Sequence, residues 1–164
     1  MLIIQSTFQV WENEVIGLLQ RVTSARVQVQ GAVVGEIGVG LLVLVGVQAG
    51  DTEQNADRLV DRLTRYRVFP DGRDRMNLSL RDTGGGLLLV PQFTLAADTS
   101  RGLRASFSGA AAPALAESLF RRAVSTARDL LGDRVSTGTF GADMQVQLTN
   151  DGPVTFWLEV PPSS

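Results

Sequence analysis

The sequence predicts a single compact domain of the α/β type, in its α+β variant, built on an antiparallel or mixed β-sheet with two main helices. Three observations predict it. The chain has 164 residues, 44% of them apolar, enough to bury one substantial core. Several short stretches alternate apolar and polar residues, the two-residue period of a half-buried strand. Two longer stretches repeat apolar residues at helical spacing.

Taken in order, residues 16–22 (IGLLQRV) and 26–37 (RVQVQGAVVGEI) alternate around a turn at Gly31, which reads as a hairpin with one wet face. Leu41 to Val47 reads as a buried strand. The full apolar run Val39–Val47 contains Gly40 and Gly46 and falls well short of the roughly 18 residues of a membrane-spanning helix. Asp51 and Gln54 have capping-box spacing, after which Ala56, Leu59, Val60, Leu63 and Tyr66 define a first helix over about 52–68. Its other face interleaves Arg58, Arg62 and Arg65 with Asp57 and Asp61, a pattern that favours a solvated face over an RNA-binding stripe.

Pro70-Asp71-Gly72 is a turn, and Gly84-Gly85-Gly86 leads into the apolar strand Leu87–Val90. These glycines precede a strand rather than opening a helix, and no Gly-Lys-Ser/Thr follows, so a phosphate loop is rejected. Pro113 suits a first helical turn, Ala116, Leu119, Phe120, Ala123, Val124, Ala127 and Leu130 form a stripe, and Gly132 fits the position just past the end of a second helix. Met144–Leu148 and Val154–Val160 are alternating strands on either side of a Gly-Pro pair. No repeat, linker or second domain is visible.

Composition narrows the chemistry sharply. The chain has no Cys and no His, and all 15 basic residues are Arg. Cys and Lys nucleophiles, a His general base and His or Cys metal sites are therefore excluded. Carboxylate pairs do not stand out either, so no metal and no cofactor is expected. The net charge of −2 supplies no global field for nucleic acid, and any RNA contact depends on local Arg placement. Residues 1–14 (MLIIQSTFQVWENE) lack a basic n-region and soon reach Glu12 and Glu14, which makes a poor signal peptide. A cytoplasmic address without a membrane partner is expected.

Four segments carry chemical content. Pro91-Gln92-Phe93-Thr94-Leu95-Ala96-Ala97-Asp98 ends a buried strand and sets an amide, a hydroxyl and backbone N–H groups at its rim, donors suited to a carbonyl or a developing oxyanion. Propensity favours Thr94 as an ordinary strand residue, and no base exists to make it a nucleophile. Arg101-Gly102-Leu103-Arg104-Ala105-Ser106-Phe107-Ser108 combines cations, a Gly turn and an aromatic, a composition that fits phosphate or base contact as well as a solvated loop. Thr137-Gly138-Thr139-Phe140-Gly141-Ala142-Asp143-Met144 is a small-residue loop around one Phe, suited to a flat ligand edge. In Asn150-Asp151-Gly152-Pro153-Val154-Thr155, local sequence favours an ordinary trans turn, while a cis Gly-Pro unit would present successive backbone carbonyls to a ligand.

Together with Gln20-Arg21-Val22, Gly38-Val39-Gly40-Leu41-Leu42 and Met76-Asn77-Leu78, these segments resemble one family from about Ile16 to Val160: the D-aminoacyl-tRNA deacylases, also called D-tyrosyl-tRNA deacylases. The match covers residues 15–164 as one domain, with residues 1–14 as a leader outside it. The resemblance implies a barrel-like core and a homodimer. It also implies hydrolysis of the ester joining a D-amino acid, or glycine, to the 3′-terminal adenosine of tRNA. By the same resemblance Gln92, Phe93 and Thr94 form the transition-state side of the pocket. Gly152 and Pro153, in cis, enter the partner subunit's site as a chiral filter against L-amino acids. Phe140, Ala142 and Met144 lie near the adenosine or support the filter, and Arg21 braces the Gly-Pro loop. The family's first motif begins with Ser, whereas Pro91 here has neither hydroxyl nor N–H. The lack of His, Lys and Cys agrees with the family's reliance on the ribose 2′-hydroxyl of the substrate. The competing readings are a dimeric RNA-binding module without turnover, which would leave the ester intact, and an acyl hydrolase using Thr94 directly.

Overall fold

The computed structural model describes residues 14–161, so the expected leader lies, apart from Glu14, outside the described residues. Its longest alternating segment is β1 (Val15–Val29), which turns through Gln30 and Gly31, at φ 49° and 78°, into β2 (Ala32–Ile37). Residues 16–22 and 26–29 thus belong to one strand. The pairing register of β1 slips on either side of Val22, which shifts the apolar phase and made one strand read as two.

The remaining strands are β3 (Gly40–Gly46), the short pair β4 (Phe69–Pro70) and β5 (Met76–Leu78), β6 (Gly86–Pro91), β7 (Val135–Thr137) and β8 (Gln145–Val160). The main sheet runs β2-β1-β3-β6-β7, with β8 on the other edge of β1; β3, β6 and β7 are mutually parallel and the β1 pairings are antiparallel. The sheet curls until β2 meets β7. A Cβ on Gly35 would stand 2.4 Å from the Thr137 carbonyl oxygen, so only glycine permits this near-closure into a barrel.

Alternation then sorts two cores. Val22, Ala25, Val27, Ile37, Leu42, Leu88 and Val90 fill the barrel, while Leu19, Leu41, Val43, Leu87 and Leu89 point out beneath the helices. Helices α1 (Glu53–Arg65) and α3 (Pro113–Leu131) cover that outer face with Leu59, Leu63, Leu119, Phe120 and Ala127. A third helix, α2 (Leu80–Thr83), is a single turn closed by Gly84 in the left-handed conformation. The triple glycine accordingly ends a helix and opens β6, where a Cβ on Gly40 would overlap the Gly86 carbonyl oxygen at 1.9 Å.

The first helix is capped one residue later than its spacing suggested. Thr52 is the N-cap, and Asn55 returns the bond from its side chain to the Thr52 N–H at 2.8 Å. Asp51 instead accepts the Gln48 N–H at 2.7 Å and closes the turn between β3 and α1. The arginine face of α1 is neither bare nor wholly solvated. Arg58 donates to the Pro161 carbonyl at 2.6 Å, Arg62 to the Glu159 carbonyl at 3.1 Å, and Arg65 pairs with Asp61 at 3.2 Å, so the helix holds the end of β8. Arg122 of α3 grips both carboxylate oxygens of Asp57 at 2.8 Å, which locks the helices together and holds the Asp57 pKa below its ordinary value.

Asp51 is 4% exposed, and its Oδ1 has no partner among the described residues. Burial raises its pKa from 3.8 to about 6, against the opposing effect of the Gln48 N–H. Because the folded state holds this proton more tightly than the unfolded chain, the contribution is fully present below about pH 4 and is lost as pH rises through 6. The shift corresponds to on the order of 3 kcal/mol at neutral pH. Asp51→Asn keeps an acceptor for Gln48 and carries no charge. We expect it to stabilise the fold by about 1–3 kcal/mol at pH 7 and to have little effect at pH 4; urea unfolding at the two pH values checks this.

Candidate active site

Where β3 and β6 end side by side, at the register pair Val45–Pro91, the chain leaves the sheet through a 3₁₀ turn, Phe93–Ala96. The Gln92 N–H donates to the Val45 carbonyl at 2.8 Å and fixes this exit. Gly46 lets the turn lie flat, since a Cβ there would approach that of Leu95 to 2.8 Å. Thr94 therefore sits in a 3₁₀ turn rather than in a strand, because close packing on Gly46 overrides its β propensity. The Gln92 Nε2 donates to Thr94 Oγ1, which leaves the hydroxyl hydrogen free to donate outward. Phe93 is 59% exposed and its ring lies 5.3 Å from that of Phe107.

Pro91 occupies a strand position that can lack an N–H. Consecutive strand residues donate to opposite sides, and Gln92 donates towards β3, so position 91 faces the β7 side. The β6–β7 pairing has already ended there at Leu89–Thr137. Gly138 then packs over the proline: its N–H bonds the Leu89 carbonyl at 2.9 Å, and a Cβ would meet Met144 Sδ at 2.8 Å and Pro91 Cδ at 3.3 Å. The loop 137–144 is thereby set beside the rim. Met144 Sδ accepts the Thr139 N–H at 3.4 Å, the Ala142 N–H bonds the Thr139 carbonyl at 3.3 Å, and half-buried Phe140 packs against the helical core.

The Gly-Pro pair lies elsewhere on the sheet. On β8, Asn150 faces Val22 and Thr155 faces Gln20, so the four residues Asp151–Val154 oppose Arg21 alone and bow out of the sheet. The alternating segments expected at 144–148 and 154–160 are the two arms of this one bulged strand. The Gly152–Pro153 peptide bond is cis. Arg21, with 13% of its side chain exposed, fills the bow: Nε donates to the Asp151 carbonyl at 2.9 Å and lies 3.1 Å from its carboxylate, and Nη1 donates to the Val68 carbonyl at 2.6 Å. Asn150, which the sequence marks only as part of the segment, latches the other side. Its Nδ2 donates to the carbonyls of Arg21 at 2.8 Å and Val154 at 3.0 Å. A Cβ on Gly152 would stand 2.2 Å from Asn150 Oδ1.

Within one chain the rim and the bow do not meet. The rim departs level with Gly17 of β1, which pairs with Val45, and the bow is level with Arg21. Four residues of strand put them on the order of 13 Å apart along β1. Concavities among the described residues lie between α1 and the end of β8, between α3 and residues 137–140, and around Ser24, Glu36 and Gln147. No group of three or more acidic side chains suited to a metal ion occurs among the described residues.

The chain is thus a barrel-like α+β domain with an amide and a hydroxyl at an exposed rim and a braced cis Gly-Pro bow, and it contains no Cys, His or Lys. The family model described as D-Tyr-tRNA(Tyr) deacylase matches residues 18–159, and this chain belongs to that family. It is 62% identical over 149 residues to the D-aminoacyl-tRNA deacylase of Alkalilimnicola ehrlichii, covering 91% of this chain and 99% of that protein. It is 63% identical over 147 residues to the D-aminoacyl-tRNA deacylase of Thioalkalivibrio sulfidiphilus, covering 90% and 98%. Among solved structures, the c-Myc DNA unwinding element binding protein superposes with a TM-score of 0.85 at 34% identity over 89% of this chain and 99% of that one. A probable eukaryotic D-amino acid tRNA deacylase shares the fold, with a TM-score of 0.78 at 19% identity over 90% and 100%.

Arg21→Met keeps the apolar stem of Arg21 but removes its bonds to Val68 and Asp151. We expect a loss of about 2 kcal/mol, typical of hydrogen bonds to a charged group. Faster amide exchange confined to Asn150–Val154 and the end of α1, together with a lower urea midpoint, is the expected signature; an unchanged midpoint refutes the bracing.

Proposed function

We propose that this protein hydrolyses the ester of D-aminoacyl-tRNA and of glycyl-tRNA and spares L-aminoacyl-tRNA. Its family membership supports the substrate class. The observation that carries the chemistry is the Gln92–Thr94 pair on the exposed rim. With Gln92 donating to its oxygen, the Thr94 hydroxyl is left to donate to the ester carbonyl as negative charge develops there. Water adds to the acyl carbon, the bond to the ribose 3′-oxygen breaks, and the amino acid leaves from a regenerated 3′-hydroxyl. The adjacent 2′-hydroxyl of the substrate assists the attack, a role its fixed proximity to the ester favours and one for which this chain has no His, Lys or Cys.

The active unit is a homodimer in which Gly152 and Pro153 of one subunit face the rim of the other. Two features support this reading. One chain keeps bow and rim apart, and the outer edge of β8, 16 residues long with Leu148 and Trp157 exposed, has no partner strand among the described residues. Main-chain carbonyls read the handedness of the α-carbon and not the side chain, so glycine passes. Phe140, Ala142 and Met144 border or support the pocket for the terminal adenosine. The site lies in the cytoplasm, where charged tRNA is found; no helix of the described residues is long and apolar enough to cross a membrane.

Three outcomes are expected in single-turnover deacylation assays. D-aminoacyl and glycyl substrates are cleaved and the L-form of the same amino acid is not; equal rates on D and L forms overturn the proposal. Thr94→Ala lowers the rate about 10²-fold, as for loss of one oxyanion donor, whereas a terminal 2′-deoxyribose nearly abolishes it. A dead Thr94→Ala variant with normal tRNA affinity, together with a wild-type enzyme that cleaves the deoxy substrate normally, would make Thr94 the nucleophile. Gly152→Ala displaces the Asn150 latch and impairs cleavage of D-substrates more than it lowers the melting temperature; unchanged kinetics in a folded dimer exclude the filter.

A further inference from the structure

Residues 98–106 form a small hairpin that none of the roles above uses. Asp98 and Ser106 exchange backbone hydrogen bonds at 2.7 and 2.9 Å, and Gly102, at φ 66°, turns the tip. Both ends of the hairpin are fixed. On the entering side the Ala97 N–H bonds the Thr94 carbonyl at 3.2 Å; on the leaving side the Phe107 ring packs at a tilt against Phe93, the Ala49 N–H donates to the Gly109 carbonyl at 3.0 Å, and the Ala111 N–H donates to the Val47 carbonyl, just past β3, at 3.2 Å. The tip itself is bare. Leu103 is fully exposed, and Arg101 and Arg104 on either side of it are exposed without a hydrogen bond or ion pair among the described residues. At the base, Asp98 Oδ1 accepts the Ser100 N–H at 2.9 Å, and hydrogen bonding from Ser100 holds its pKa below the ordinary value; the nearby Arg101 charge adds a smaller effect in the same direction without an ion-pair contact.

A fully exposed leucine between two unpaired cations is costly decoration on a chain of net charge −2, and it projects from the same turn that carries Thr94. We propose that this hairpin is a docking arm for the unpaired 3′ strand of the substrate RNA. Arg101 and Arg104 contact phosphates just upstream of the terminal adenosine, and Leu103 packs on a base of that strand. The arm rests on the deacylase reading for its ligand. It adds binding to the RNA rather than charge stabilisation at the ester, so it acts on affinity and not on the chemical step.

The test compares full-length wild type with Arg101→Gln/Arg104→Gln and with Arg73→Gln/Arg75→Gln, a control of equal charge change whose side chains are exposed on the turn between β4 and β5. Binding of uncharged tRNA is titrated against salt, and deacylation is measured on D-aminoacyl-tRNA and on 3′-O-(D-aminoacyl)adenosine, which has no phosphates. For the hairpin variant we expect about ten-fold weaker tRNA binding at low salt and a slope of log K against log salt reduced by about 1.4, the loss of two single-strand phosphate contacts. The rate at saturating tRNA and the cleavage of the adenosine ester should stay at the wild-type value, and the control should bind like wild type. An unchanged slope, equal weakening in the control, or an equal loss on the adenosine ester overturns the arm. If wild type cleaves no D-aminoacyl ester while the hairpin variant alone loses tRNA affinity, the arm stands and the hydrolytic reading falls.

Discussion

The pairing of β1 with β8 is the constraint on which the rest of the structure depends. β1 pairs with three other strands, β8 along its length on one edge and β3 then β2 on the other. Any slip of β1 would move its side chains to the opposite face, exchanging Leu19 under the helices with residues meant for the open side. β1 changes face at one point, the slip between Val22 and Ser24, where it carries one extra residue against β8. Before it the odd-numbered Val15 and Leu19 join the helix-covered core and the even-numbered Val22 faces the barrel; after it the odd-numbered Ala25 and Val27 fill the barrel.

The neighbouring slip, between Gln20 and Val22, makes the Gly-Pro bow. Four residues of β8 must be accommodated opposite one of β1, and the backbone groups they withdraw from the ladder need other partners. Arg21 and Asn150 supply them with side-chain donors, which ties the bow to the end of α1 through Val68. These hydrogen bonds hold the main-chain atoms of the bow from both flanks, the fixed geometry that the chiral filter proposed above requires.

At the other end of β3, the same economy of side chains appears. Glycine at 46 and at 138 lets backbone segments approach until the rim turn and the 137–144 loop lie against Pro91. In a chain without His, Lys or Cys, the side-chain groups this rim offers are the polar donors Gln92 and Thr94. The placement of backbone, set by these glycines, therefore matters more at this site than the titration of any group.

By itself, the sequence determined the long elements and the chemical inventory. β2, β3, β6 and the two long helices were legible because each repeats apolar residues over enough positions for its period to appear, and the loops carrying Gln92, Thr94, Gly152 and Pro153 were legible as motifs. The three-residue β7, the one-turn α2 and the β4–β5 pair were not, since no period can be read in so few residues. The cap of α1 was missed by one position because Asp51-x-x-Gln54 and Thr52-x-x-Asn55 carry the same pattern, and only burial of Asp51 against Gln48 chooses between them. Tertiary structure alone decided the sheet order, the near-closure at Gly35 and the bracing of Asp151 by Arg21, 130 residues away. These depend on contacts distant in sequence, whose partners are selected by the packing of the whole sheet and not by any local pattern.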